Sequence, residues 1–453
     1  MRSALRRTLP FLLGLALGAA DPALAILSEQ DAKPMMADLR HLTEAIGPRL
    51  TGSPQDHAAH AWALSRFKAM GLETRQESFP LPRTWHRGGA RARLLGDHPR
   101  PIHVAQWGWT PGTRGRLRGR LVLLRTPKDL DARKGTLRGA VVLAGAPAQE
   151  LDPLMMNPPL RLKERPAHEG GFPLEVLAAR LKAEGVRAVL RDSGKSGEHL
   201  NMTGPDPLDA LDLPAAFVPH GEYASLVASE GSPFELSLGG GFGPAGHSYN
   251  TIAELRGEAP GETVVLGAHL DSWDLGTGAT DNGAGVAAVM EAARILSRLG
   301  TKPLRSIRFI LFGGEEEGFL GSEAYVRAHG AELRNISGVF VMDTGAGAID
   351  GFALQGRPEA AKVLLPLFDP LKTLGVTETD LRNEGDTDFE PFDRLGVPAF
   401  CVEQKQHSYA VDHHAETDTL DKVIPAELQQ AAVVLAYTAW RVAGLPSPLP
   451  RER

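Results

Sequence analysis

The sequence predicts an α/β protein: a mostly parallel sheet flanked by helices, interrupted by a β-rich insert. Three observations carry this. Beyond residue 246, continuous apolar strands alternate with helices, the pattern of a sheet covered on both faces. From about 90 to 245 the texture changes to short β-type runs separated by turns. Histidines and carboxylates then recur where the later strands end, and an open α/β sheet collects its active site there.

A chain of 453 residues is too long for one ordinary domain and implies two or three. The 42% hydrophobic and 23% charged content is that of a soluble globular protein. A formal net charge of −6 gives no reason to expect nucleic acid or membrane as a partner. Arg-rich patches such as Arg114–Arg120 read as solvated loop. Residues 1–25 read as a secretory signal: Arg2, Arg6 and Arg7 precede the apolar Leu9–Ala20, and Ala23-Leu24-Ala25 matches the small-x-small cleavage pattern. The apolar run is too short for a permanent membrane span, so the mature chain is expected to begin near Ile26, secreted or periplasmic. Arg6-Arg7 is a weaker match to twin-arginine export, and no cysteine near the cleavage point suggests a lipid anchor. The only cysteine, Cys401, lies in an apolar run and reads as a small buried hydrophobe, so no intrachain disulfide is available.

The elements follow in order. Helical periodicity covers 29–47 and 56–70, with Gly47-Pro48 ending the first and Thr51–Pro54 introducing the second. Leu72–Phe79 alternates as a strand, and the Gly/Arg/Pro-rich stretch Arg87–Gly119 marks a boundary. The insert offers strands at Leu121–Leu124, Ala140–Leu143, Ala188–Leu190 and Ala215–Val218, with one helix at Leu174–Glu184. Its His168, His199 and His220 lack ligand spacing and read as surface or structural residues. Gly239–Gly243 with Pro244 reads as an exit hinge. The next strands are Thr263–His269, Ser306–Phe312, Gly338–Met342 and Pro398–Val402. The helices Asp281–Leu299, Ser322–Ala328, Ala360–Leu374 and Pro425–Val442 alternate with them. His269, Glu315, Asp343 and Glu403 all fall at or just after a strand's apolar run.

These residue types suit a pair of zinc ions. Zinc takes imidazole nitrogen and carboxylate oxygen, and a catalytic site keeps a position for water. Asp281, twelve positions after His269 on a glycine-rich turn, is the candidate bridge, although an Asp before a helix is often only an N-cap. Asp271 is placed to orient the His269 ring, and Asp274 ranks below it. Three adjacent carboxylates at Glu315–Glu317 repel one another unless a cation is near; Glu316 is assigned to metal, Glu315 to the base and Glu317 to the surface. Asp343 closes its strand before a Thr-Gly turn. His413, His414 and the nearby His407 remain alternatives on these grounds alone.

The segments GPRLTGS (47–53), YNTIAEL (249–255), GAHLDSWDLGTGATDNGAG (267–285), the GEEEG run, VMDTGAG (341–347), GDTDF (385–389) and HHAETDT (413–419) resemble the M28 family of metallopeptidases, over nearly the whole mature chain. The resemblance implies a zinc-peptidase fold with a catalytic domain of residues 26–89 and 246–446, interrupted by a protease-associated-like insert at 90–245. It implies two zincs held by His269, Asp281, Asp343, Glu316 and His414. Asp281 would bridge, and Glu316 and His414 would lie on opposite metals. The family's His-x3-Asp-Thr spacing selects His414 over His413. Glu315 would be the general base toward a zinc-bridging hydroxide, with Asp271 beside the metal-ligating His269. The expected activity is exopeptidase cleavage of dipeptides or short peptides with free termini, or, as the alternative, aminopeptidase cleavage. A homodimer is also implied. A non-catalytic binding protein on this fold is disfavoured by retention of every ligand and the base. Nucleotide binding is disfavoured because no Lys or Arg falls in the glycine-rich turn to meet phosphates.

Overall fold

The computed structural model describes residues 21–147, 172–195, 197–205 and 211–453. The signal's apolar core and His168 lie outside these residues. The short helix Pro22–Leu27 spans the expected cleavage point and buries Ala23 and Ile26 beside the C-terminal helix Pro425–Ala443. Among the described residues, no helix is long and apolar enough to cross a membrane.

Two large sheets organise the chain. The first has seven strands, in the order Glu73–Leu81, Gly246–Leu255, Arg305–Phe312, Ala259–His269, Ile336–Met342, Ala399–Gln404 and Ile349–Ala353. Its four central strands, Arg305–Phe312 to Ala399–Gln404 in that order, run parallel, while the pairings on either side are antiparallel. The expectation of a mostly parallel sheet is thus corrected to a mixed one. The parallel neighbours Ala259–His269 and Arg305–Phe312 are joined by the crossover helix Ala284–Ser297. The strands Gly246–Leu255 and Ile349–Ala353 were not anticipated from the pattern.

Helices cover both faces because neighbouring strand residues point to opposite sides. Val264, Leu266 and Ala268 pack with the helices Pro54–Ala69, Ala284–Ser297 and Pro425–Ala443, whereas Val265 joins the cluster under Leu320–Ala328 and Glu390–Arg394. The expected helix from Asp281 starts later, at Ala284, and Asp281 itself has non-helical φ −130° and ψ 93°.

The second sheet has eight strands drawn from residues 90–238. Four of the short apolar runs read from the sequence become its adjacent parallel strands, Leu117–Leu124, Val141–Ala144, Ala188–Asp192 and Ala215–Val218. The chain enters and leaves this region side by side: Trp85–His86 pairs with Gly241–Phe242, and the Gly239 amide donates to the Gly89 carbonyl at 2.9 Å.

Candidate active site

Three parallel strand ends supply the first residues of the site. His269 is the last residue of its strand and sits in register with Phe312, after which Gly313-Gly314 turns the chain into Glu315–Glu317. Gly314 has φ +69°, a conformation glycine adopts without the Cβ clash of other residues. Asp343 follows Met342 on the other neighbour.

Asp281 arrives on the loop before Ala284–Ser297, and two buried side chains shape that loop. Asp418 accepts the amides of Ala279, Thr280 and Asp281 at 3.0, 2.6 and 3.1 Å and the Thr280 hydroxyl at 2.8 Å. The Arg49 guanidinium donates to the carbonyls of Leu270, Thr277 and Gly278 at 2.7, 2.9 and 2.8 Å. A Cβ on Gly278, whose φ is +61°, would meet Arg49 Nη2 at 2.7 Å. Burial lowers the Arg49 pKa to about 10, against the pull of Asp418 and Asp271. Asn282 ties the loop to the Met342 carbonyl at 2.8 Å.

The side chains converge on Asp281. His269 Nε2 lies 3.2 Å from Asp281 Oδ1 and 3.2 Å from Asp343 Oδ1. His414 Nε2 lies 3.2 Å from Asp281 Oδ2 and 2.9 Å from Glu316 Oε2. Each oxygen of one carboxylate therefore faces its own imidazole. His413 stacks on His414 with ring centroids 3.7 Å apart, and its Nε2 is 3.6 Å from Asp281 Oδ2. The implied separation of Glu316 and His414 onto opposite sides is corrected by this geometry, which puts them together. Glu315 Oε2 is 3.9 Å from His269 Nε2.

Asp271 organises the pair from behind. Its carboxylate accepts the amides of Glu315 and Glu316, each at 3.2 Å, and the Thr51 hydroxyl at 3.1 Å. His269 Nδ1 lies 3.7 Å from Asp271 Oδ1 and 3.1 Å from its backbone carbonyl. One residue thus holds the ring through its backbone carbonyl and the start of the Glu loop through its carboxylate.

Other sequence candidates fall elsewhere. Glu317, expected at the surface, is buried, and its Oε1 accepts from Trp109 Nε1 at 3.2 Å. Asp274 pairs with Arg87 at 2.7 Å, and His407 with Glu427 at 2.6 Å. His220 pairs with Asp192 at 2.9 Å. Cys401 is buried as read, and burial pushes its thiol up, followed by the nearby Glu403 and Asp343. Arg49, Thr51, Trp109 and Asp418 carry no assignment in the sequence reading. The only signals for them were the GPRLTGS segment and the spacing of Asp418 four residues after His414.

Electrostatically the site is short of positive charge. Burial pushes Glu315 well above the usual carboxylate range, and Asp343, Glu316 and Asp388 add to the shift despite the opposing His269. Burial, with Asp281 adding to it, takes Glu316 to about 7 even beside His414. Burial opposes charge on His269, yet Asp343, Glu315, Asp271 and Asp281 hold its pKa well above that of free imidazole. Glu316 Oε1 is buried and accepts no hydrogen bond, and Asp281 Oδ2 has imidazole alone beside it. A buried acceptor without a donor is costly, and divalent cations are the natural partner for this nitrogen and oxygen set. His269, Asp281 and Asp343, and again Asp281, His413 and His414, each bring their ligand atoms within 4.8 Å of one another. The donor set fits a metal pair sharing Asp281.

The site opens into a cavity of about 430 Å³ whose lining includes Glu315, Asp343, His414, Arg382, Glu384 and Tyr409.

Comparison with known proteins identifies the family. Residues 250–439 match the model of peptidase family M28. Carboxypeptidase Q of Mus musculus is 26% identical over 420 residues, covering 91% of this chain and 86% of that protein. The crystal structure of an M28 peptidase precursor from Shewanella amazonensis SB2B superposes with a TM-score of 0.80 at 30% identity, covering 95% of this chain and 97% of that one. A zinc aminopeptidase from Bacillus subtilis shares the fold, with a TM-score of 0.68 at 20% identity over 90% of this chain and 94% of that one. From the family match and the likeness to an M28 peptidase along nearly its whole length, the chain belongs to peptidase family M28 and is a metallopeptidase.

Proposed function

We propose that this chain is a two-zinc exopeptidase that hydrolyses dipeptides or short peptides with free termini. The observation that carries the reading is Asp281, with Oδ1 toward His269 and Oδ2 toward His414, each at 3.2 Å. His269 and Asp343 would hold one ion, Glu316 and His414 the other, and Asp281 both. When bound, the zinc pair supplies Lewis-acid polarisation of the peptide carbonyl and a water of lowered pKa. Glu315 lines the cavity beside His269 and takes the water proton at its carboxylate, then returns it to the leaving amine nitrogen. Asp271 keeps the His269 ring and the Glu315 amide in register for that transfer.

The dipeptide preference rests on similarity to carboxypeptidase Q. An aminopeptidase is the second reading, favoured by the cavity wall, where Glu384, Asp386 and Glu403 outnumber Arg382 and suit a free ammonium. The reading also takes residues 26–89 and 246–446 as the catalytic domain and 90–245 as a protease-associated-like insert. Confinement of the eight-stranded sheet to residues 90–238 supports this division. Export rests on the leader pattern, and a homodimer on family resemblance.

The test is metal content by mass spectrometry together with a dipeptide panel that includes N-blocked and C-blocked analogues. The reading expects about two zincs per chain and loss of cleavage when either end is blocked. Cleavage of C-blocked substrates selects the aminopeptidase. A chain inactive after zinc reconstitution points to a binding protein.

A further inference from the structure

The loop that carries His414 is held from outside the seven-stranded sheet. His414 has φ +53°, in the left-handed region that side chains bearing a Cβ rarely adopt, and such residues persist only where surrounding contacts over-determine them. Those contacts come from Lys195 and residues 200–202, which follow the strand Ala188–Asp192 of the second sheet. The buried Lys195 ammonium donates to the His413 carbonyl. The Met202 amide donates to the His414 carbonyl at 3.0 Å, and Asn201 forms an antiparallel bridge with Ala415. Leu200 and Glu416 close the ladder: the Leu200 amide reaches Glu416 Oε1 at 3.1 Å, and the Glu416 amide reaches the Leu200 carbonyl at 3.3 Å.

We propose that Lys195 is a positioning residue for the His414 side of the metal centre, so that the second sheet helps build the active site. The inference rests on the two-zinc reading. An ammonium delivered to the His413 carbonyl fixes the peptide between His413 and His414. That peptide sets the direction of the His414 ring toward Asp281 and Glu316. The grip is selective: His269 and Asp343 stand at their own strand ends, away from Lys195 and residues 200–202.

The experiment compares zinc affinities of full-length wild type and Lys195→Met after chelation, by titration against a chromophoric chelator. Partners of metal-ligating residues typically change metal affinity by about 10–100-fold. The expected result is that one of two zinc equivalents weakens by that factor while the other is unchanged. Turnover should recover at saturating zinc, and Lys195→Arg should restore the affinity. Glu416→Ala removes a separate anchor of the same loop, carries the same expectation and serves if Lys195→Met does not fold. Two equivalents bound with wild-type affinity in a folded variant would overturn the proposal alone. A wild type that takes up fewer than two equivalents overturns the two-zinc reading and this proposal with it.

Discussion

Glu315 and Glu403 are both carboxylates at strand ends, and the structure gives them different work. Glu315 lines the cavity beside His269 without belonging to either donor group that shares Asp281. Glu315→Gln keeps the shape and removes the proton acceptor. We expect kcat to fall by about 10²–10⁴-fold, the usual worth of a general base, with zinc uptake unchanged. Steady-state kinetics beside metal analysis would check this, and substantial retained kcat would remove Glu315 from the role. Glu403 lies within the strand Ala399–Gln404, one residue past the Met342–Val402 pair, and is raised to about 7, first by burial and then by Glu384 and Asp350, against Arg382. An acid whose folded pKa is raised holds its proton longer in the folded chain. Its stabilising protonation is complete below about pH 4.5 and is lost as pH rises through 7. In metal-free protein, Glu403→Gln should therefore unfold at higher denaturant than wild type at pH 8, by up to about 3 kcal/mol. The difference should vanish toward pH 4.5. Equal midpoints at pH 8 would mean that the cavity solvates this carboxylate.

At the scale of elements, the site depends on loops that strands alone do not hold. Asp418 accepts three successive amides of the loop that presents Asp281, and it comes from the segment after His414, so one short stretch serves both sides of the centre. Asp418→Ala would strand those donors in a buried place. The expected loss is about 2–3 kcal/mol of stability, with weaker zinc binding at both positions because Asp281 serves both. Denaturant unfolding and zinc titration together check this; unchanged zinc affinity would show that Arg49 and Asn282 suffice to hold the loop. The contrast with the strand ends explains what the sequence could reveal. His269, Glu315 and Asp343 were legible because each follows an uninterrupted apolar run, and the parallel centre of the sheet was legible for the same reason. Asp418 and Arg49 bond to backbone groups and leave no periodic trace. The burial of Glu317 was equally hidden, because its partner Trp109 lies 208 residues away along the chain. The strand Gly246–Leu255 escaped notice because its polar Ser248, Asn250 and Thr251 are buried, which breaks the alternation expected of an antiparallel strand.

At the scale of the whole molecule, the centre joins parts that the sheet alone leaves independent: three strand ends, the Asp281 loop and the His414 loop braced by Lys195 and residues 200–202. Without cations, Asp281, Glu316, Glu315 and Asp343 crowd a buried space with acceptors that receive too few donors, and the raised pKa values of three of them record the cost. Metals that bind only the folded chain return that cost by mass action, about 4 kcal/mol when free metal is 1,000-fold above its Kd. Chelation should therefore lower the unfolding temperature by several degrees, and zinc should restore it. The drop should be larger at pH 8 than at pH 6. Near pH 6 the metal-free site can still hold protons on Glu315 and Glu316, whose pKa values burial has raised, and the protons partly stand in for the missing charge. Calorimetry of chelated and reconstituted protein at the two pH values measures both effects. A chelated protein that melts at the holoprotein's temperature at both pH values would mean that the acidic cluster is relieved without metal, and the shared Asp281 would lose its explanation.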